Sequence, residues 1–196
     1  MNWASFFRNP VPYFKKLLIE IGVDFYLDKN DRRILEGKVL PWVAGIEQFE
    51  KILWVGCEWY TRGYRRFFKN KEYWTLEMNP ALRKYGASLH ITDKLQCAPC
   101  HFPSGYFDVI FCYGLIGYGI NDQLALIQVM QACAQLLRPD GLLVLGWDND
   151  TDSMVVDVDE ALPLERWSPF ELPPLRAAIL ITPHQGQHTF RFFLRQ

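Results

Sequence analysis

The fold is decided by KILWVGCEWYTRG, residues 51–63. Four apolar residues, Ile52, Leu53, Trp54 and Val55, form a short run typical of a buried strand, and Gly56 interrupts it. A glycine turn between a strand and a helical segment opens a nucleotide-binding α/β unit, because glycine admits close backbone approach and a helix start offers free N–H groups. We therefore predict that this stretch forms a central strand and its ligand-binding turn.

Strand-like and helix-like segments alternate after this turn. YWTLE ends at Glu77, SLHITD ends at Asp93, and FDVIFCYG runs into a glycine-rich loop. A helix follows, with Asn121 and Asp122 as N-cap candidates, and LLRPDG then leads into the apolar run LLVLGWD. We expect a buried stripe on this helix, formed by Leu126, Val129, Met130, Cys133 and Leu137. The alternation predicts a mainly parallel sheet.

The remaining segments flank this core. The 196 residues predict one domain, with an N-terminal helical cap (1–50), a ligand-binding core (51–150) and C-terminal strands (151–196). PYFKKLLIEIG predicts a cap helix, with Phe14, Leu17, Leu18 and Ile21 at helical spacing, and a second helical piece is interrupted near Gly37 and Pro41. LRAAILIT and HTFRFFLR predict a hairpin with a turn at Gly186.

Composition narrows the class of protein. Apolar residues make up 49% and charged residues 22%, and the net charge of -1 gives no general attraction to nucleic acid or anionic membranes. No apolar run reaches the length of a membrane span, and the N-terminus lacks a signal-peptide pattern. We therefore expect a cytoplasmic protein with reduced cysteines that binds neither membrane nor nucleic acid.

Two sequence motifs, CHFPSGYFDVIF and LLRPDG, occur in this order and together support a resemblance to a known family. With the glycine turn and the two strand-end acids, residues 51–147 resemble the class I S-adenosylmethionine-dependent methyltransferases, in particular the small methyltransferase-domain type. The resemblance implies a three-layer α/β sandwich with a seven-stranded, mostly parallel sheet and N-terminal helices. These helices would lie over the ligand and shape the acceptor pocket, or simply cover one side of the sheet. It also implies S-adenosyl-L-methionine as the cofactor and methyl transfer as the activity.

The resemblance assigns roles to individual residues. Glu77 fits the ribose role because a carboxylate accepts two hydroxyl hydrogen bonds, Asp93 fits the adenine amino group, and Met78 would pack on adenine. The predicted cofactor-binding set is Gly56, Cys57, Glu58, Glu77, Met78, Thr92, Asp93 and Tyr113.

The glycine turn departs from the D-x-G-x-G-x-G pattern of this family. Gly56 holds the first glycine, but Trp54 replaces the acid, and Glu58 and Tyr60 replace the next two glycines. Their side chains would either crowd the methionine end of the cofactor or, at Glu58, pair with its ammonium group. Two functions follow: a methyltransferase acting on a small-molecule acceptor, or a non-catalytic binding or interaction module.

Methyl transfer requires a general base only when the acceptor must lose a proton, and no histidine stands out as that base. Candidates at the strand ends are Tyr113, Tyr118, Asp122, Trp147 and Asp148, and no catalytic residue or metal ligand is assigned. The short stretch between Trp147 and Leu175 favours a small acceptor.

Two further motifs are assigned no function. CAPCH, residues 97–101, matches a haem-attachment pattern, but the absence of an export signal argues against haem, and its context argues against zinc or a redox motif. TRGYRRFFKNK is either a phosphate- or nucleic-acid-binding face or, as we expect, the solvated side of a helix.

Overall fold

The computed structural model describes residues 17–25, 27–149, 156–162, 165–183 and 187–196. Phe14 of the predicted cap helix and Gly186 of the predicted turn lie outside these ranges. Eight strands form one sheet in the order β3-β2-β1-β4-β5-β8-β6, and β7 also pairs with β8. The strands are β1 Lys51–Val55, β2 Glu72–Leu76, β3 Leu89–Ile91, β4 Phe107–Tyr113, β5 Leu137–Asp148, β6 Trp167–Pro169, β7 Ile179–Ile181 and β8 His188–Arg195.

The helices are mostly short. Helix α1, Asn30–Ile34, continues through a π-helical turn, Leu35–Val39, into α2, Leu40–Gly45. The interruption predicted near Gly37 is this π-helical turn, whereas the helix continues through Pro41. The longest helix among the described residues is α3, Gln123–Leu136. Three 3₁₀ helices cover Arg62–Arg66, Pro80–Tyr85 and Leu95–Cys100. Among the described residues, no helix is both long enough and apolar enough to cross a membrane.

Strands β3, β2, β1, β4 and β5 are parallel, and β8 runs antiparallel to β5. The predicted mostly parallel α/β sandwich is therefore confirmed, with an eighth strand because β6 and β7 both pair with β8. The predicted hairpin is confirmed in the antiparallel pairing of β7 and β8. The carboxyl ends of the parallel strands meet along one edge of the sheet, where open α/β sheets bind ligands.

Helices cover both faces of the sheet because side chains alternate along each strand. Leu53 and Val55 of β1 belong to the cluster that packs α3, whereas Ile52 and Trp54 belong to the cluster that packs the 30–45 helical segment. The stripe predicted on α3 is buried throughout, although its last member, Leu137, begins β5. Its N-cap is Asp122, whose side chain accepts from Ala125 N at 2.8 Å. The 30–45 helical segment thus forms part of one outer layer of the sandwich.

The basic segment after β1 corrects one expectation. Instead of the solvated face of a helix, it forms a 3₁₀ helix in which Arg62 is only 8% exposed. Arg62 donates to Asp24 Oδ1 at 2.8 Å and to the carbonyls of Ile19 and Val23 at 2.6 Å each. Arg62 therefore anchors residues 19–24 to the 3₁₀ helix that follows β1, and Arg65 stays exposed as expected.

Candidate functional site

A cavity of about 700 Å³ opens at the carboxyl-terminal edge of the sheet. Its size is that of a small-molecule site. We call one side the β2 half, which is lined by Gly56, Cys57, Glu58, Glu77, Met78, Asp93, Lys94, Leu95 and Gln96. We call the other side the β5 half, which is lined by Lys29, Asp31, Arg32, Tyr60, Tyr113, Tyr118, Asp148 and His188.

The turn after β1 begins the β2 half. Gly56 has φ +87°, a conformation that favours glycine, and its N–H donates to Leu76 O at 2.8 Å. Cys57 N donates to Glu77 Oε2 at 2.9 Å, and Glu58 N donates to Thr61 Oγ1 at 3.0 Å. These three N–H groups therefore have partners within the chain, and recognition of a ligand beside them depends on side chains.

Glu77 connects the ends of β1 and β2. Its carboxylate is buried, and besides the bond from Cys57 it accepts from Asn79 N at 2.7 Å through Oε1. Each carboxylate oxygen can accept two hydrogen bonds. Glu77 therefore combines a structural role with remaining capacity to accept from a ligand in the cavity.

Glu58 lies beside Glu77 in the same half, and burial is the main cause that raises the pKa of Glu58, with the Glu77 charge adding to it. A cationic group of a ligand beside Glu58 would favour the ionised carboxylate and so offset the effects of burial and of the Glu77 charge.

Asp93 forms the far wall of the β2 half. His101 Nε2 lies 2.8 Å from Asp93 Oδ2, and this hydrogen bond is the main cause that lowers the pKa of Asp93. Met78 also lines the cavity and is 60% exposed, so its side chain is free to pack on a ligand. Thr92 is exposed and is not among the cavity-lining residues.

A hydrogen-bonded chain crosses the β5 half. Tyr118 Oη donates to Asp148 Oδ2 at 2.8 Å, and His188 Nδ1 lies 2.8 Å from Asp148 Oδ1. Asp148 and His188 are directly opposite in the β5–β8 register, which explains their contact. The bond to His188 is the main cause that lowers the pKa of Asp148 to about 2, and the bond from Tyr118 also contributes. Asp148 therefore stays ionised at neutral pH.

A second network closes the floor of the β5 half. Tyr113 Oη donates to Asp31 Oδ2 at 2.7 Å, and Arg32 Nε lies 3.4 Å from the same oxygen. The Arg32 guanidinium lies 4.5 Å from the Tyr113 ring centre and 4.7 Å from that of Tyr60. Arg32 is only 7% exposed, and its Nη1 donates to Tyr64 Oη at 3.1 Å, so its guanidinium is held by partners within the chain.

Gly146 makes this arrangement possible. A Cβ at this position would lie 2.3 Å from Tyr113 Cδ2 and 2.8 Å from His188 Nε2. Without a side chain at Gly146, the Tyr113 and His188 rings stack at 4.5 Å. A glycine inside an apolar strand is a sequence signal for such close approach.

The sequence analysis did not identify three further residues that line the cavity: Asp31, Arg32 and His188. Nothing local marks Asp31 and Arg32, because they lie in the N-terminal segment and reach the cavity only through the tertiary fold. His188 reaches it through the antiparallel pairing of β8 with β5.

Solved structures with the same fold include the N-methyltransferase NodS from Bradyrhizobium japonicum in complex with S-adenosyl-L-homocysteine, with a TM-score of 0.61 at 14% identity over 86% of this chain and 93% of that one. TrmN from Thermus thermophilus has a TM-score of 0.59 at 11% identity over 81% of this chain. This chain spans only 48% of that protein. The chain has the class I methyltransferase fold. No family model and no curated protein matches the sequence.

Most of the residues predicted to bind the cofactor lie at the cavity. Seven of the eight residues predicted to bind the cofactor line the cavity, and Thr92 is the exception. Tyr113 lies in the β5 half and its hydroxyl is bonded to Asp31, whereas Gly56, Cys57, Glu58, Glu77, Met78 and Asp93 lie in the β2 half. Of the strand-end candidates, Tyr118 and Asp148 come together, while Asp122 caps α3.

Proposed function

We propose that the protein is an S-adenosylmethionine-dependent methyltransferase acting on a small-molecule acceptor. The observation that carries this proposal is Glu77, whose carboxylate lies at the end of β2, is fixed by two backbone N–H groups and faces the cavity. Its remaining lone pairs fit the two ribose hydroxyls of the cofactor.

The charge of the cavity wall supports this cofactor over a nucleotide phosphate. Five carboxylate side chains line the cavity against three cationic ones, with His188 in addition. S-adenosylmethionine carries a sulfonium, an ammonium and a carboxylate, so its net charge is positive, whereas nucleotide phosphates are negative. The cavity therefore attracts the sulfonium cofactor and repels phosphate groups.

The side chain of Glu58 offers a way to bind the cofactor although the turn departs from the glycine pattern. Because the turn's N–H groups at 56–58 have partners within the chain, they do not stand ready for the methionine end of the cofactor. A carboxylate at Glu58 would pair with the cofactor's ammonium group and replace backbone recognition by a charged hydrogen bond. The same internal pairing is the observation that favours the second candidate, a non-catalytic binding module.

The β5 half supports the acceptor role. When bound, S-adenosylmethionine supplies an activated methyl group, so the chain needs mainly to orient the acceptor and exclude water. Tyr118 is 66% exposed at the cavity, and its hydroxyl oxygen keeps lone pairs that can accept from an N–H or O–H of the acceptor. Asp148 and His188 hold this hydroxyl in place. The confined cavity suits a small acceptor better than a polymer.

The cofactor assignment is tested by thermal unfolding with S-adenosylhomocysteine, using NAD and ATP as matched adenosine-containing controls. Saturation at a hundredfold excess over the dissociation constant stabilises by about 2.7 kcal/mol, which corresponds to about 5–10 °C for a chain of this size. We expect this shift with S-adenosylhomocysteine alone. Equal shifts with all three ligands, or none with any, would contradict the assignment.

The acceptor class is tested with methyl-labelled S-adenosylmethionine and a cell extract divided by size. We expect label in the small-molecule fraction, and less of it with the variant Tyr118→Phe. Label confined to RNA or protein would refute the small-molecule acceptor. Cofactor binding without transfer to any fraction would favour the binding module.

A further inference from the structure

Two cysteines lie in the 3₁₀ helix Leu95–Cys100, next to the β2 half of the cavity. Cys97 and Cys100 are exposed free thiols, whereas the other three cysteines, Cys57, Cys112 and Cys133, are buried. Burial is the main cause that raises the pKa of Cys57 to about 12, which keeps that thiol protonated. Cys97 and Cys100 are therefore the two thiols open to reagents in solution, and the proposed methyl transfer uses neither of them. This exposure revises the expectation that the motif has no redox role.

The helix type brings these two thiols together. In a 3₁₀ helix, residues i and i+3 lie on the same side, and a rise of about 2.0 Å per residue separates their Cα atoms by about 6 Å. Disulfides join cysteines whose Cα atoms are about 4.4–6.8 Å apart. Cys97 and Cys100 are three residues apart in this helix, so ideal 3₁₀ geometry places their Cα atoms within the range of a disulfide.

The same turn belongs to the cavity wall. Asp93, Lys94, Leu95 and Gln96 line the β2 half. The two residues that flank this helix both contact Asp93, because its Oδ1 accepts from Lys94 N at 2.7 Å and His101 Nε2 lies 2.8 Å from its Oδ2. A bond from Cys97 to Cys100 would tighten the turn that lies between these two contacts. The position of Asp93 in the wall is therefore coupled to the state of the two thiols.

We propose that Cys97 and Cys100 form a thiol-modification site. A small-molecule disulfide such as oxidised glutathione converts the two thiols reversibly into an intramolecular disulfide. This disulfide weakens cofactor binding in the β2 half. One protein thiolate attacks the oxidant's disulfide and releases one thiol, and the second thiolate then attacks the mixed disulfide and releases the other. Two protein thiols are oxidised, and one external disulfide is reduced to two thiols that take up the two protons. The effect on the cofactor rests on the proposed function.

The disulfide is tested by incubating the whole chain with oxidised glutathione and measuring its intact mass. We expect a product lighter by two hydrogen atoms, restored by dithiothreitol, with peptide mapping that links Cys97 to Cys100. The control is the double variant Cys97→Ser/Cys100→Ser, which keeps the buried Cys112–Cys133 pair, whose sulfurs are 3.7 Å apart. A chain that stays reduced, stops at the mixed disulfide, or loses two hydrogens in the double variant as well would overturn the site.

The coupling is tested by titrating reduced and oxidised protein with S-adenosylhomocysteine. We expect oxidation to weaken binding by about three- to tenfold, the scale of one hydrogen bond, and the same treatment to leave the double variant unchanged. Equal affinities of the two forms would refute the coupling. Absence of binding to the reduced protein would overturn the proposed function and the coupling with it, whereas the mass measurement judges the disulfide separately.

Discussion

Replacing Glu77 by glutamine separates its structural role from its proposed role in cofactor binding. The carboxylate accepts from Cys57 N at 2.9 Å and from Asn79 N at 2.7 Å. An amide keeps one acceptor oxygen and turns a donor toward the other N–H, so one buried donor loses its partner. We expect Glu77→Gln to lower the free energy of unfolding by about 1–3 kcal/mol. Loss of a charged acceptor for the ribose should cost a further 1.5–3 kcal/mol of binding, or about 10- to 150-fold in affinity.

Asp108 offers a matched control at the opposite edge of the sheet. Its Oδ2 accepts from the backbone N–H groups of Glu50 and Lys51 at 2.8 Å each, and its Oδ1 accepts from Arg138 at 2.6 Å. Asp108→Asn should therefore destabilise the fold to a similar extent while leaving ligand affinity unchanged. Urea unfolding and calorimetric titration with S-adenosylhomocysteine measure the two effects. Equal losses of affinity in both variants, or wild-type affinity in Glu77→Gln, would refute the ribose role.

Three further predictions concern the fold and its pH dependence. Gly56→Ala should lower the melting temperature by roughly 2–8 °C because its φ of +87° costs a side chain about 1–2 kcal/mol; an unchanged melting temperature would contradict this. Arg62→Met should destabilise the fold by about 1–3 kcal/mol in urea because two backbone carbonyls and Asp24 lose this buried donor. Arg66 still pairs with Asp24 at 2.7 Å in this variant, and exposed Arg65→Met should change little. The hydrogen bond to His188 is the main cause that lowers the pKa of Asp148 from its ordinary value of 3.8 to about 2. The ionised carboxylate therefore stabilises the fold above pH 3.8, and this stabilisation is lost as the pH falls towards about 2. Unfolding curves of Asp148→Asn should therefore change less over that range, and an identical pH dependence in the variant would be evidence against the His188 contact.

The sequence predicted the parallel core because each strand has its own local pattern. The run Ile52 to Val55, the strand-end acid Glu77 and the cap at Asp122 depend on neighbours along the chain, and the structure has the corresponding elements at these positions. The wall of the β2 half could also be predicted from the sequence, because parallel strands bring their carboxyl ends to one edge of the sheet.

The β5 half could not be predicted because its residues meet only through long-range packing. Asp31 contacts Tyr113 across 82 residues, and His188 contacts Asp148 across 40. No local periodicity marks such pairs. The burial of Arg62 was missed for the same reason, since its partners lie in the N-terminal segment rather than in neighbouring turns.

Calorimetric titration of the purified protein with S-adenosylmethionine and S-adenosylhomocysteine tests most directly whether the altered turn holds the cofactor. With Glu77 at the ribose and Glu58 at the ammonium group, we expect both ligands to bind with dissociation constants of about 1–100 μM, equivalent to roughly −5 to −8 kcal/mol. Absence of heat from either ligand at about 1 mM, a bound of roughly −4 kcal/mol, would contradict the methyltransferase assignment and leave the binding module.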